Sequence, residues 1–199
     1  MSHPQPSADL RAELREALRR AASALKADGP PFALAGSYAL WVHGGPEPSH
    51  DVDFVVAERD AEAAAATLTQ AGFEIRRPPE DWLFKAALGV DRPALVDVLH
   101  RINRVPVDTA LIARADVHDV FALSVPVLTP TEVMTQKLRA LNEHHCDFST
   151  LIPLVRAVRE QLDWPELHRR SSRNPFATAF LSLCDALDIA ERRDRPPTH

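Results

Sequence analysis

Residues 36–56 read GSYALWVHGGPEPSHDVDFVV, and the rest of the chain is interpreted from this stretch. Its end, residues 51–56, alternates as a β-strand does, which places Asp51 and Asp53 on one face and apolar side chains on the other. Two carboxylates in so small a volume repel each other unless a cation or several hydrogen-bond donors lie between them. Oxygen ligands of this kind are typical of Mg²⁺ or Mn²⁺ sites.

The residues before the aspartate pair strengthen that interpretation. Residues 32–35 read as a short strand, Gly36 and Ser37 as a sharp turn, and residues 38–43 as a short helix. A glycine and a serine at a helix N-terminus leave backbone N–H groups and a hydroxyl free to hold phosphate oxygens. The simpler alternative is a solvated strand edge, since aspartates are mostly exposed and Asp-x-Asp alone is a common pattern.

This order of features resembles the nucleotidyltransferase superfamily that includes DNA polymerase beta, in which a Gly-Ser turn precedes an Asp-x-Asp pair. Residues 36–53 carry the resemblance. Within the superfamily, the His-Gly pair and the Ser-x-Asp-x-Asp motif that begins at Ser49 are most similar to the AbiEii and MenT toxins of bacterial toxin–antitoxin pairs. Those toxins often have an arginine where this chain has Glu47. The resemblance implies a nucleotide site that includes Gly36, Ser37 and Ser49.

A further carboxylate interrupts an apolar strand. Residues 94–100 read ALVDVLH, so Asp97 lies in a run where an unpaired charge is expensive to bury. Asp97 could accept hydrogen bonds from backbone donors in a turn or cap a neighbouring helix. The resemblance implies instead that Asp97 is the third metal ligand beside Asp51 and Asp53, because a later strand supplies a third carboxylate in the superfamily.

A lysine lies on the apolar side of a well-marked helix. Residues 129–132, TPTE, form a capping box, and the apolar stripe that follows includes Lys137. The lysine stem could pack while its ammonium group reaches water. The resemblance implies instead that Lys137 binds nucleotide phosphates, and that Asp147 after this helix belongs to the same site. The commoner toxin motif there is Asp-x-x-Asp, and this chain has Thr150 at the second position.

Composition predicts a globular protein without a membrane span. Hydrophobic residues make up 45% and charged residues 26% of the 199 residues. No apolar run approaches the roughly 20 residues that cross a bilayer. Two cysteines, Cys146 and Cys184, argue for a reducing compartment, so a cytoplasmic protein is expected. The His-His-Cys run at 144–146 does not easily converge on one zinc ion, because its residues are adjacent.

The net charge of -5 is unevenly distributed along the chain. Residues 1–100 hold 10 Lys and Arg against 15 Asp and Glu, whereas residues 101–199 hold 13 of each kind. A basic surface on the second half is therefore compatible with the overall charge. The candidates there for contacts with RNA phosphates are Arg156, Arg159, Arg169, Arg170 and Arg173.

The pattern of elements predicts an α+β fold with two domains. Residues 1–128 are expected to form a nucleotidyltransferase-type mixed β-sheet flanked by helices, and residues 129–199 a C-terminal helical lobe. Besides the elements already named, the first domain is predicted to contain three helices. The first begins at residue 10 and ends before the turn at 28–31, the second spans 59–71, and the third lies near 107–114. Strands are predicted at 73–77, 82–88 and 124–128. The lobe is predicted to contain helices at 148–162, after residue 163, and from 174 to 189.

The resemblance implies a metal-dependent nucleotidyltransferase toxin. It would transfer a nucleoside monophosphate, with a pyrimidine the expected base, from a nucleoside triphosphate to the 3′ end of tRNA, which blocks aminoacylation and translation. A cognate antitoxin would neutralise it, and in some pairs the antitoxin is a kinase, for which Ser49 and Ser37 are candidate targets. The residues expected to carry catalysis with Mg²⁺ or Mn²⁺ are Asp51, Asp53, Asp97 and Lys137.

Two other functions would use the same fold. A small-molecule nucleotidyltransferase, such as an aminoglycoside adenylyltransferase, shares the carboxylates but needs an acidic pocket for a cationic drug. A non-catalytic binding module could also keep the fold. The departure at Glu47 allows this last alternative, whereas the complete set of three carboxylates argues against it.

Overall fold

The computed structural model describes residues 8–89 and 92–190. Its strands are β1 (Phe32–Leu34), β2 (Val52–Val56), β3 (Phe73–Arg76), β4 (Leu83–Leu88), β5 (Ala94–Leu99), β6 (Arg101–Ile102), β7 (Val105–Pro106), β8 (Asp116–Val120) and β9 (Leu123–Val127). Seven of them form a mixed sheet in the order β3-β4-β5-β2-β1-β9-β8, and β6 and β7 form a separate hairpin.

Helices flank this sheet. They are α1 (Ala8–Asp28), α2 (Gly36–Val42), α3 (Ala61–Gln70), α4 (Thr109–Ala113), α5 (Pro130–Ala140), α6 (Phe148–Val158), α7 (Trp164–Ser171) and α8 (Pro175–Ala186). The predicted α+β class, with a mixed sheet and flanking helices, is therefore confirmed. None of the helices in the described ranges combines the length and the apolar composition needed to cross a membrane.

The central strand β2 decides which polar residues meet. It pairs antiparallel with β1 and parallel with β5, and in the parallel pair Asp53 lies opposite Asp97. On the other side of β1 lies β9, which is parallel to it and leads into α5. Side chains of directly paired residues lie in one row across a sheet, so this register brings the two aspartates side by side.

A hydrophobic core covers both faces of the sheet. Helix α1 packs beside α3 and against β2, β5 and β9, with Leu14, Leu18 and Leu25 at most 1% exposed. In β2 the consecutive residues Phe54 and Val55 are both fully buried, although they point to opposite faces. Burying a side chain of this size stabilises the fold by about 1.5–3 kcal/mol.

The C-terminal helices begin at the capping residues that the sequence indicates. Thr129 accepts a hydrogen bond from the N–H of Glu132 at 3.4 Å, and Asp163 accepts one from the N–H of Glu166 at 3.0 Å. Helix α5 packs against α2 as well as against α7 and α8, and buried residues from both halves of the chain form one core cluster. The division into two domains at residue 128 stays a prediction.

Two hairpins are not predicted from the sequence, although the strand predicted at 124–128 corresponds to β9. The β6–β7 turn has Asn103 and Arg104 at φ 51° and 67°, and the β8–β9 turn has Phe121 and Ala122 at φ 50° and 63°. Turns of this kind usually contain Asn-Gly or Asp-Gly, because a positive φ is costly for other residues. Phe121 and Ala122 give no such signal, so the edge strand β8 is not predicted.

Candidate active site

Gly36 brings the backbone against a carboxylate at the junction of β1 and α2. Its φ of +56° lies in the left-handed region that favours glycine. A Cβ atom here would lie 1.9 Å from Oδ2 of Asp53 and 2.6 Å from its carboxyl carbon. The N–H of the preceding residue, Ala35, donates to the backbone oxygen of Asp53 at 2.8 Å. Only a residue without a side chain therefore allows this close approach.

Asp53 lies among several charges in the interior. Asp97 is its direct neighbour in the β2–β5 register, and Asp51 lies just before β2. Burial raises the pKa of Asp53 to about 7; the ammonium group of Lys137 opposes that shift, and the charges of Asp97 and Asp51 add to it. The structure thus brings the three predicted carboxylates into one electrostatic cluster.

Lys85 is a site residue that the sequence interpretation missed. It lies on β4 opposite Asp97, and its Nζ donates to Oδ1 at 2.7 Å and to Oδ2 at 2.6 Å. Burial raises the pKa of Asp97 above its ordinary value, although the contact with Lys85 opposes the shift. One signal was available: the segments LFKAAL and ALVDVL each carry a single charge of opposite sign.

Lys137 reaches from α5 into the site. Its Nζ donates a hydrogen bond to Oγ of Ser37, 3.1 Å away in the first turn of α2. Burial lowers the pKa of Lys137, and the charge of Asp53 opposes that shift. The ammonium group is therefore held inside the site, and the alternative of a lysine that only extends into water does not describe it.

Asp51 and Asp53 remain the candidates for holding a divalent cation. Within residues 8–89 and 92–190, neither side chain accepts a hydrogen bond or forms an ion pair, whereas both oxygens of Asp97 contact Lys85. Adjacent carboxylates without donors match the oxygen ligands that Mg²⁺ and Mn²⁺ prefer. No group of three or more His, Cys, Asp or Glu side chains in these ranges is arranged to hold a metal ion. The role of Asp97 as a third ligand stays a prediction.

A cavity of about 500 Å³ opens beside these groups. Gly36, Asp53 and Lys137 line it on one side, and Trp82 and Arg104 line it elsewhere. Trp82 is 42% exposed, so it offers an apolar surface to a ligand. A volume of this size lies within the range of small-molecule sites in proteins, about 300–1,000 Å³.

Two smaller depressions continue from the cavity along the surface. The first depression adjoins the cavity at Asn103 and Gln136, and the second adjoins the first at Arg139 and Arg170. We term the cavity and these two depressions together the arginine groove. Four arginines along this path are neutralised by carboxylates. The pairs are Arg101 with Glu58, Arg114 and Arg170 with Glu132, and Arg169 with Glu166.

Three other arginines of the groove have no such partner. In the part of the chain that the structure describes, no carboxylate forms an ion pair with Arg104, Arg139 or Arg173. Arg173 is one of the residues that the sequence suggests for RNA contacts, whereas Arg104 and Arg139 are additions from the structure. These three guanidinium groups are available to an anionic ligand.

Three predicted nucleotide-binding residues, Ser37, Ser49 and Asp147, are not among the described residues that line the cavity. Ser37 contacts Lys137, which does line it. Ser49 is partly buried in the loop before β2. Asp147 caps α6, where Oδ1 accepts from the N–H and the hydroxyl of Ser149 at 2.9 and 2.6 Å. Their contacts with a nucleotide stay predictions.

Glu47 accepts two hydrogen bonds from Arg15 of α1, at 2.7 and 2.8 Å, and this contact lowers the pKa of Glu47.

Solved structures resemble this chain, and we assign the fold from the first of them. The antibiotic-resistance factor ANT(2″)-Ia is 14% identical, covers 89% of this chain and 96% of its own, and has a TM-score of 0.58. Its crystal structure with adenylyl-2″-tobramycin covers 89% of this chain and 94% of its own, at 17% identity and a TM-score of 0.49. An antigenic nucleotidyltransferase-like protein from Paracoccidioides brasiliensis is 15% identical over 89% of this chain and 94% of its own, with a TM-score of 0.49.

The chain thus has the nucleotidyltransferase fold. No protein-family model and no curated protein sequence matches it. The similarity to AbiEii and MenT toxins therefore rests on the motif in residues 36–53, and the chemistry has to be argued from the side chains of the site.

Proposed function

We propose that this protein is a divalent-cation-dependent nucleotidyltransferase that transfers a nucleoside monophosphate, with a pyrimidine base expected, from a nucleoside triphosphate to the 3′ end of tRNA. One observation carries the proposal: Gly36, Asp53 and Lys137 line the same cavity of about 500 Å³. A carboxylate suited to a cation and an ammonium group suited to phosphate thus line one space. Nucleotidyl transfer needs this combination, because it depends on positioning and charge neutralisation.

The reaction would proceed by displacement at the α-phosphorus. The acceptor hydroxyl oxygen loses its proton to solvent and forms a bond to that phosphorus, the bond from phosphorus to the bridging oxygen breaks, and pyrophosphate leaves with that oxygen. Asp51 and Asp53 would hold the cation, whose chemistry is to lower the pKa of the acceptor hydroxyl and offset phosphate charge. The Ser37 hydroxyl and the Lys137 ammonium group would bind the departing phosphates, where negative charge develops.

The arginine groove supports a polyanionic acceptor. It begins at the cavity, and Arg104, Arg139 and Arg173 have no carboxylate partner in residues 8–89 and 92–190. A guanidinium group binds a phosphate through two parallel hydrogen bonds. An RNA strand with its 3′ hydroxyl in the cavity would place successive phosphates along the groove. The toxin-like motif favours tRNA in particular, so aminoacylation of the modified end would stop.

A small-molecule acceptor is the second candidate, because ANT(2″)-Ia has the same fold. A cationic drug needs an acidic pocket. The cavity has Asp53 and Asp81, but Arg104 and Lys137 also line it, and Arg101 lines it while paired with Glu58. The lining is therefore not the acidic pocket that a polycation needs.

The resemblance also supports a cognate antitoxin. If that partner is a kinase, Ser37 is a sensitive target, because its Oγ contacts Lys137 at 3.1 Å beside Asp53. A phosphate there would occupy the place of the triphosphate and repel it. Ser49 is the second candidate. After co-expression with the protein encoded beside it, mass analysis should show a phosphate on one of the two serines; neutralisation without modification would contradict the kinase hypothesis.

Transfer of a labelled nucleotide to each candidate acceptor tests the proposed activity. The protein is incubated with each common α-³²P-labelled nucleoside triphosphate, Mg²⁺, and either total tRNA or tobramycin. Label is expected on the 3′ end of tRNA with the wild type and with Asp116→Asn, a control on the exposed edge strand, and not with Asp53→Asn. Circular dichroism checks that both variants are folded. Label on tobramycin would establish the second candidate, and no label on either acceptor would favour a non-catalytic module.

A further inference from the structure

Lys85, Asp97 and Asp53 form one row across three neighbouring strands. Lys85 lies opposite Asp97 in the antiparallel β4–β5 pair, and Asp97 lies opposite Asp53 in the parallel β5–β2 pair. The ammonium group of Lys85 therefore lies next to Asp97, and Asp97 lies between Lys85 and Asp53. The two aspartates thus have different electrostatic environments.

The ammonium group of Lys85 occupies both oxygens of Asp97. The distances from Nζ are 2.7 Å to Oδ1 and 2.6 Å to Oδ2, the range of short charge-assisted hydrogen bonds. Asp97 is only 7% exposed, so little space is left for other donors. A second divalent ion on Asp97 would have to approach the same oxygens at about 2.0–2.1 Å and lie beside a positive charge.

Asp51 and Asp53 differ from Asp97 in this respect. Neither contacts Lys85 or another donor through its side chain in the described ranges. The lysine thus divides the cluster into one neutralised carboxylate and two that can still act as ligands.

We propose that Lys85 is a built-in cation that takes the place of a second divalent ion at Asp97, so that the centre holds one divalent ion, on Asp51 and Asp53. This inference rests on the proposed function only in that Asp51 and Asp53 bind a cation. Lys85 is then a positioning residue. Because its ammonium group is attached to β4, it neutralises Asp97 whatever the concentration of divalent ions in solution.

The stoichiometry of Mn²⁺ binding tests this role without nucleotide or acceptor. Calorimetric titration of the full chain should give one Mn²⁺ per chain for the wild type and two for Lys85→Met. The double variant with Lys85→Met and Asp97→Asn should return to one. Lys26→Met is the matched control and should stay at one, because Lys26 donates to the backbone oxygen of Ser124 at 3.0 Å on another part of the molecule.

The possible results separate this inference from the proposed function. Two ions on the wild type, or one ion on a folded Lys85→Met chain, would overturn the role of Lys85 and leave the enzyme proposal intact. Should Lys85→Met not fold, Lys85→Gln keeps a donor to Asp97 without the charge and is expected to bind two ions. Undiminished binding to Asp53→Asn, or none to the wild type, would contradict the cation site itself.

Discussion

Lys137 of α5 and Ser37 of α2 are joined by a hydrogen bond of 3.1 Å, although they lie 100 residues apart in the chain. This contact explains why a lysine occupies the apolar side of a helix. Its ammonium group reaches the cavity that Asp53 also lines. The last strand and the helix after it thus complete a site that begins at Gly36.

Lys137→Met should strongly reduce activity while leaving the fold intact. Methionine keeps the length and the packing of the stem but offers no charge to the departing phosphates. Loss of one such electrostatic contact reduces kcat by about 100- to 1,000-fold. The melting temperature should be unchanged or higher, because the cost of burying an ammonium group disappears. Lys26→Met serves as the control; a Lys137→Met enzyme with the wild-type rate would contradict the role of Lys137.

Gly36→Ala should destabilise the protein and remove Mn²⁺ binding together. The new methyl group would displace the Asp53 carboxylate, and the left-handed backbone adds strain, so the loss of unfolding free energy is expected at about 2–4 kcal/mol. Gly72 provides a matched control, with a φ of +88° and nothing within 4 Å of an added Cβ.

Gly72→Ala should therefore cost about 1–2 kcal/mol of backbone strain alone and keep Mn²⁺ binding. Urea denaturation and calorimetric titration measure the two effects. Equal losses of unfolding free energy and equal Mn²⁺ binding in the two variants would show that the close approach of Gly36 to Asp53 is not required for the site.

The arginine groove predicts a difference between paired and unpaired arginines. Substitution of Arg104, Arg139 or Arg173 by glutamine should weaken binding of a single-stranded RNA and lower the slope of log K against log salt by about 1 for each lost phosphate contact. Arg169→Gln is the control, because Arg169 is neutralised by Glu166 at 2.6 Å. Fluorescence anisotropy across a salt series measures the slope, and equal slopes for all four variants would rule out the groove as the RNA site.

His43 makes the fold sensitive to mild acid. Burial lowers the pKa of His43, the carbonyl of Leu128 opposes this shift, and His118, 4.7 Å away between ring centres, adds to it. Since the folded pKa is depressed, the unfolded chain binds the proton more readily, so stability is present above the unfolded pKa of about 6.5 and is lost as pH falls below it.

The melting temperature of His43→Gln should therefore fall less between pH 7 and pH 5.5 than that of the wild type. His168→Gln is the control, because His168 is exposed on α7. Differential scanning fluorimetry gives the comparison. An unchanged pH dependence in His43→Gln would assign the acid sensitivity to other groups.

The main elements and part of the site were predictable from local patterns. The alternation around Asp53 indicates a strand, the charge at Asp97 marks an unusual position in an apolar run, and the N-cap residue Thr129 locates the start of α5. The reciprocal half of the predicted capping box does not form, because the Glu132 carboxylate accepts from Arg114 and Arg170. Each of these signals depends on residues that are close in sequence. The paired arginines and the Phe121–Ala122 turn carry no comparable signal, because their roles depend on distant partners or on backbone angles that the residue types do not favour.

The sequence by itself determined the types of the main elements, their apolar faces and the unusual positions of Asp97 and Lys137, since these follow from the helical and strand periods. Only the tertiary structure decided that Lys85 neutralises Asp97, that Lys137 reaches Ser37, and that Arg104 and Arg139 extend one groove. Strand register and helix docking set these contacts. Both depend on the burial of apolar surface between segments far apart in the chain, which no local pattern specifies.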